Sequence, residues 1–342
     1  MTYLDHNATT QIAPEILQKM NEIYGLGFLN PSSVHKSGKI AKKHLLEAKN
    51  RILKALNCQN PLNYDVVFTS SGTEANNLAL SGKKFQRSPF EHESVRNLPN
   101  GSDFNDFSSE IAENCEFSSI IWANNITGVV NDVETLKNTK FLHTDAVQFA
   151  GKRKIDLSNG KIDAITISGH KIHAPHGIAC LVFRKSYPIS PIVVGGSQNA
   201  SLHAGTYNLP AIVALSHAVE MVNCEGYLEK YQSHTHKLRQ KLEDFVRENG
   251  GIVVGEQFDR ISNTSCIAKV GVPSTEQLMI FDQNNICVSV GSACSAGVVS
   301  KSPTLKAMGL SDEIVGSVVR VSLGLSNTER EIDEFCRVWK GV

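Results

Sequence analysis

Lys171 is the residue of this chain best placed to act as an amine nucleophile. It closes Ser168-Gly169-His170-Lys171, which follows the mostly apolar run Ala164-Ile165-Thr166-Ile167. A buried strand that ends in a polar turn desolvates a lysine, which lowers its pKa and frees the neutral amine that condenses with a carbonyl. Such an amine suits an aldehyde cofactor. That chemistry also requires phosphate donors, a carboxylate for a ring nitrogen and a flat group to stack on the ring.

Other stretches supply candidates for each part. Asp65-Val66-Val67-Phe68-Thr69-Ser70-Ser71-Gly72-Thr73-Glu74 reads as a strand, a small-residue turn and a helix start. The N–H groups of Gly72 and Thr73, with the helix dipole and the Thr73 hydroxyl, would cradle a phosphate. Asp145 follows the strand candidate at Phe141 to Thr144, at the edge where open parallel sheets bind ligands. A carboxylate there keeps a pyridinium protonated, and Gln148, one turn on, could donate to a phenolic oxygen. His92, after Glu91, could stack on a pyridine face and shuttle protons. Taken singly, the first two motifs also fit ordinary helix caps, and His92 fits a surface or capping histidine. Together they fit pyridoxal phosphate (PLP), and the 26 residues from Asp145 to Lys171 match one strand–helix–strand unit.

The elements that must hold these residues alternate between short β-rich runs and helical patterns, the signature of an α/β fold. Strands are expected at Val66 to Thr69, Ser119 to Ala123, Phe141 to Thr144, Ala164 to Ser168 and Ile178 to Arg184. Ala41, Leu45, Ala48, Ile52 and Leu56 form the stripe of a helix over Ile40 to Asn57. Ser186 to Pro210, rich in Gly, Ser, Asn and Pro, reads as a functional loop. A helix follows from about Leu209 towards Arg247, interrupted near Gly226. The C-terminal third predicts strands at Ser265 to Val270, Ile286 to Val290 and Val318 to Leu323. Its last helix starts at Thr328 with Glu331 completing a capping box, and buries Ile332, Phe335 and Trp339. Two domains are expected: 12–227, and 1–11 with 228–342.

With 342 residues, 41% of them apolar and 20% charged, the chain reads as an ordinary globular protein. Its 34 basic and 34 acidic residues give zero net charge, which argues against nucleic acid or an anionic membrane as partner. The start has no signal-peptide pattern and no apolar stretch is long enough to span a bilayer, so a cytoplasmic location is expected. Eight cysteines include no Cys-x-x-Cys pair, so no metal site is expected. Cys180 lies in the apolar run Ile178 to Phe183, whereas Cys294 lies among Gly291, Ser292, Ala293, Ser295, Ala296 and Gly297. Small neighbours on both sides suit a mobile thiol rather than a packed one.

Eight stretches in order resemble the signature of the PLP-dependent cysteine desulfurases of the NifS/IscS type, within the class V aminotransferase family. They are Tyr3 to Thr10, Asn30 to His35, Phe68 to Glu74, Asn124-Asn125, His143 to Gln148, Ser168 to Lys171, Gly205-Thr206 and Gly291 to Ser295. The resemblance implies fold type I, with a large domain on a mainly parallel seven-stranded sheet and a smaller α+β domain. It implies Lys171 as the Schiff-base lysine, His92 as the stacking histidine, Asp145 as the pyridinium partner and Gln148 as the phenolic-oxygen donor. Gly72, Thr73, Ser168 and His170 match phosphate binders. Thr206 matches a residue that reaches the phosphate of the neighbouring subunit, which implies a homodimer. Asn125 and Arg320 match positions that hold the substrate carboxylate, a task suited to a bidentate guanidinium. Cys294 matches the cysteine that takes sulfur from L-cysteine as a persulfide and passes it to an acceptor, with His92 or the substrate adduct expected to remove its proton.

Three features depart from the family pattern. Ile126 stands where an acidic residue is usual, and His203 stands where Arg is usual, which weakens the positive field there. Only 33 residues separate His92 from Asn125, fewer than usual. The expected activity is conversion of L-cysteine to L-alanine with sulfur carried on Cys294, for iron–sulfur clusters or another thio-cofactor. Another enzyme of the same class (a selenocysteine lyase or a transaminase) and a non-catalytic binding subunit remain as alternatives.

Overall fold

In a computed structural model the described residues are 1–58, 60, 63–103, 115–136, 139–196, 198–290, 292–293, 299–300 and 302–342, without the side chains of 200, 292–293 and 299–300. They divide into two units, Thr10–Trp122 with Asn131–Leu228, and Met1–Thr9 with Ala123–Val130 and Glu229–Val342.

In the larger unit, apolar runs bounded by polar turns become a seven-stranded sheet. Its strands are β1 (Tyr64–Thr69), β2 (Phe85–Arg87), β3 (Gly101–Asp103), β4 (Cys115–Ser119), β5 (Thr139–Asp145), β6 (Ala164–Ser168) and β7 (Ala179–Arg184). The order is β1-β7-β6-β5-β4-β2-β3. β7 runs antiparallel to β1 and β6, and every other pair is parallel. This is the mainly parallel α/β sheet expected from the sequence. Its central strands are buried throughout, as Val66, Val67, Ile165, Ile167, Leu181 and Val182 show. Helices on both faces therefore suit it, and each buried Leu or Val contributes about 1.5–3 kcal/mol.

Helix α1 (Pro14–Gly25) and helix α2 (Lys36–Ala55) both pack on a later helix of this unit, α5 below. α2 starts four residues before Ile40, because His35 caps it by accepting the Gly38 N–H at 3.2 Å. The expected stripe Ala41, Leu45, Ala48, Ile52 and Leu56 is buried. Helix α3 (Gly72–Leu80) follows β1 directly, and α4 (Glu93–Arg96) is a single turn after His92. The helix expected from Leu209 towards Arg247 is two, α5 (Leu209–Val222) and α6 (Glu225–Glu248). The break falls at Asn223, whose side chain instead bonds Ile155 and the Ala55 carbonyl.

The smaller unit holds a four-stranded antiparallel sheet of β8 (Ile252–Val254), β9 (Thr264–Ala268), β10 (Ser289–Val290) and β11 (Val318–Ser322), in the order β10-β11-β9-β8. Helices α7 (Ser274–Gln283) and α8 (Glu329–Gly341) cover it, with Phe281 and Phe335 stacked at 4.6 Å between ring centres. Both bonds of the Thr328–Glu331 capping box are present, and Ile332, Phe335 and Trp339 are fully buried. No helix among the described residues is long and apolar enough to cross a membrane.

Candidate active site

The turn between β1 and α3 leaves hydrogen-bond donors over. Ser71 caps the helix, its hydroxyl taking the Glu74 N–H at 3.2 Å and its carbonyl the Ala75 N–H at 3.1 Å. The Gly72 and Thr73 N–H groups are the two of the first turn that this cap does not use. A Cβ on Gly72 would meet Val147 Cγ2 at 3.0 Å and Ser168 Cβ at 3.4 Å. The missing side chain thus lets the helix start sit directly against the ends of β5 and β6, where Asp145 and Ser168 are buried.

Asp145 ends β5 with both carboxylate oxygens accepting. Oδ1 takes the Val147 N–H at 2.9 Å, and Oδ2 takes Asn76 Nδ2 at 2.8 Å. The same Asn76 amide donates to Ser94 Oγ at 2.8 Å, and Ser94 meets His92 Nδ1 through its hydroxyl at 2.8 Å and its N–H at 3.1 Å. His92 is exposed, while Gln148 is buried one turn past Asp145. Glu91 lies wholly inside, its Oε1 accepting the Ile121 N–H at 2.6 Å. Burial, and after it the charge of Asp145, pushes its carboxyl well above the usual range.

Lys171 ends a short 3-10 turn, Gly169–Lys171, just past β6. The buried Lys152 donates through Nζ to the Lys171 carbonyl at 3.1 Å. Burial, then the charge of Lys171, brings the Lys152 ammonium down to about 7. His170 is held by its carbonyl, which accepts the Thr10 N–H at 2.8 Å and the Thr10 hydroxyl at 2.9 Å. Burial, then Lys171 and His176, lowers its imidazole to about 4. Without a ligand it is therefore neutral near pH 7 and offers a ring N–H as a hydrogen-bond donor.

Thr206 is exposed in the loop between β7 and α5, and lines a cavity of about 220 Å³ with Ser70, Glu74, Gly177 and His203. His203 Nε2 lies 2.7 Å from Glu74 Oε1. Burial alone would raise the Glu74 carboxyl, but hydrogen bonds from His203 and Ser70 outweigh it and bring it below the usual range. The residue that replaces the family's usual Arg is thus engaged with a carboxylate of α3.

In the smaller unit Arg320 lies on β11 and is 8% exposed, so it is not a solvated strand-end charge. Its guanidinium donates to Asp5 Oδ1 at 2.6 Å and to the Asn125 carbonyl at 3.1 Å, while Asp5 Oδ2 accepts from Ser289 at 2.9 Å. Arg320 and Asn125 are therefore brought together. Ile126 is core, packed with Val254, Cys266, Leu305 and Val318, which accounts for an apolar side chain at that position. Cys294 lies outside the described residues.

Sequence reasoning missed Asn76, Ser94, Lys152 and Asp5. Asp5 stood in a quoted stretch without a role, and Lys152 follows the turn glycine Gly151. Asn76 and Ser94 carry no local signal, since their partners come from distant strands or a separate turn.

The Aminotransferase class-V family model matches residues 2–95 and 93–335. A cysteine desulfurase of Cereibacter sphaeroides is 33% identical over 98% of this chain and 94% of its own length. The cysteine desulfurase NifS of Azotobacter vinelandii is 31% identical over 98% of this chain and 90% of its own. A NifS-like protein of Rickettsia africae has the same fold, with a TM-score of 0.89 and 30% identity over 100% of this chain and 99% of its own. The matching family model, the near-full-length relatives and the sheet with Lys171 at its strand end together make this chain a member of the class V aminotransferase family.

Proposed function

We propose that the chain is an L-cysteine desulfurase that uses PLP and carries sulfur on Cys294. The observation that carries the reading is the convergence, within one unit, of a strand-end lysine, a doubly hydrogen-bonded aspartate and an uncovered helix start. Those residues fit the cofactor: the side-chain-free cradle at Gly72 leaves two N–H donors for its phosphate, and Asp145 offers a carboxylate to its ring nitrogen. Ser168 and His170 complete the phosphate donors. Lys171 would hold the cofactor, Gln148 its phenolic oxygen and His92 its ring face. When bound, PLP supplies an electron-withdrawing ring that stabilises negative charge at an amino acid's α-carbon.

The chain's own residues do the rest. Lys171 Nζ takes the α-proton. Arg320 and Asn125 hold the substrate carboxylate, with Arg320 exchanging Asp5 for the incoming ligand. The Cys294 thiolate takes the substrate sulfur. Overall, L-cysteine and the Cys294 thiol become L-alanine and a Cys294 persulfide, which a reductant or a protein acceptor discharges. Thr206 serves the neighbouring site of a homodimer. The protein works in the cytoplasm, with neither nucleic acid nor membrane as partner.

Incubating PLP-loaded protein with L-cysteine and a reductant should give alanine and sulfide in equal amounts. A keto acid in place of alanine would refute the reading in favour of transamination.

A further inference from the structure

The hydrogen bonds around His92 leave no freedom in where its proton sits. A main-chain N–H can only donate, and the Ser94 N–H points at His92 Nδ1 at 3.1 Å. Nδ1 is therefore the bare nitrogen. Ser94 Oγ, 2.8 Å from the same Nδ1, must then give its hydrogen to it and keeps its lone pairs for another donor. That donor is Asn76, whose Nδ2 lies 2.8 Å from Ser94 Oγ and 2.8 Å from Asp145 Oδ2. Turning the Asn76 amide over would set its carbonyl oxygen against the Asp145 carboxylate, two acceptors with no hydrogen between them. Its orientation holds although it leaves Asn76 Oδ1 buried with no partner among the described residues. Asn76 is 1% exposed and Asp145 3%, so solvent does not compete at the inner end.

We propose that Asn76 and Ser94 are positioning residues which, starting from Asp145, fix the tautomer of the uncharged His92 ring, with its hydrogen on Nε2. The tautomer lock itself needs only the geometry, whereas its catalytic meaning rests on the desulfurase reading. In that reaction Nε2 donates a hydrogen bond or a proton and cannot accept one. The Cys294 proton then leaves by another route than the neutral His92 ring, and His92 acts towards substrate as a donor. The aspartate meant for the ring nitrogen and the histidine meant for the ring face are thereby ends of one polarised chain, and Asn76 transmits the carboxylate's charge.

The test is read on the 15N-labelled protein without cofactor, so it does not depend on turnover. Long-range 1H–15N correlation spectra show which imidazole nitrogen carries hydrogen, and the His92 signals are those missing in His92→Gln. The wild type should show a protonated Nε2 and a bare Nδ1. Ser94→Ala and Asn76→Ala should each raise the Nδ1–H form by roughly fivefold, the worth of one neutral hydrogen bond. Ser94→Thr, which keeps the hydroxyl, should restore the wild-type pattern. Unchanged signals from the interior His143 report that each variant is folded. A proton on Nδ1 in the wild type, or folded alanine variants whose His92 signals match it, would overturn the proposal. A wild type with the predicted His92 signals that yields no alanine from L-cysteine when loaded with PLP would instead count against the desulfurase reading.

Discussion

Replacing Glu91 by glutamine should change stability in a way that depends on pH. Glu91 is 1% exposed, its Oε1 accepts the Ile121 N–H at 2.6 Å, and Oε2 has no partner among the described residues. Burial first and the Asp145 charge second hold its carboxyl well above the usual range. The folded chain therefore keeps a proton that the unfolded chain releases above pH of about 4.3. With more protons bound when folded, stability falls as pH rises, by about 1.4 kcal/mol per pH unit, until the raised folded-state value is passed. Glutamine has the same shape and no such proton. The variant should therefore gain on the wild type by up to about 1.4 kcal/mol for each pH unit above the unfolded-state value, until the raised folded-state value is passed. Trp122 belongs to the same unit, next in sequence to Ile121, and Trp339 to the other. Urea unfolding followed by Trp122 fluorescence in a Trp339→Phe background therefore reads the relevant unit. Parallel stability curves, or a wild type that gains on the variant as pH rises, would mean that Glu91 is ionised in the fold and that the burial argument is wrong.

Thr328→Ala removes half of the capping box of α8 and should lower the stability of the smaller unit by about 1 kcal/mol in urea titration. Lys171→Ala should abolish the visible absorption that PLP gives when bound to a lysine, while the far-ultraviolet circular dichroism stays as in the wild type. Arg320→Gln should raise KM for L-cysteine by about tenfold to a hundredfold, the worth of a charge-assisted hydrogen bond, with a smaller change in kcat.

Much of the fold was legible because burial and hydrophobicity coincide in it. β6, at Ala164–Ser168, matches its apolar run residue for residue, and the capping box announced α8. Where the two part, the reading slipped. Ser119 to Ala123 was expected as a strand, but β4 is Cys115–Ser119 and contains Glu116 and three serine or cysteine positions. Ile120–Trp122 is buried and bonds the end of β5 through Ile120 N and Trp122 N, so its apolarity reports burial rather than ladder membership. Ser119 belongs to both the expected and the observed strand, but what satisfies its buried hydroxyl is His143, on the next strand, which no local pattern shows.

The site divides along the same line. Lys171, Asp145 and Gly72 were legible because a strand end, a carboxylate and a bare helix start follow from local pattern. Asn76 was not, because its meaning lies in bonding Asp145, 69 residues away, and Ser94, 18 residues away. Arg320 was readable as a candidate, yet its pairing with Asp5 spans 315 residues and no local rule predicts it.

The most direct test of the account is the mass of the peptide carrying Cys294 after PLP-loaded protein meets L-cysteine without reductant, with free thiols alkylated afterwards. The account predicts one added sulfur atom on that peptide and one alanine released with it, and neither in Lys171→Ala. Alanine released with Cys294 unmodified, or an unmodified peptide and no alanine from protein that has bound the cofactor, would contradict it.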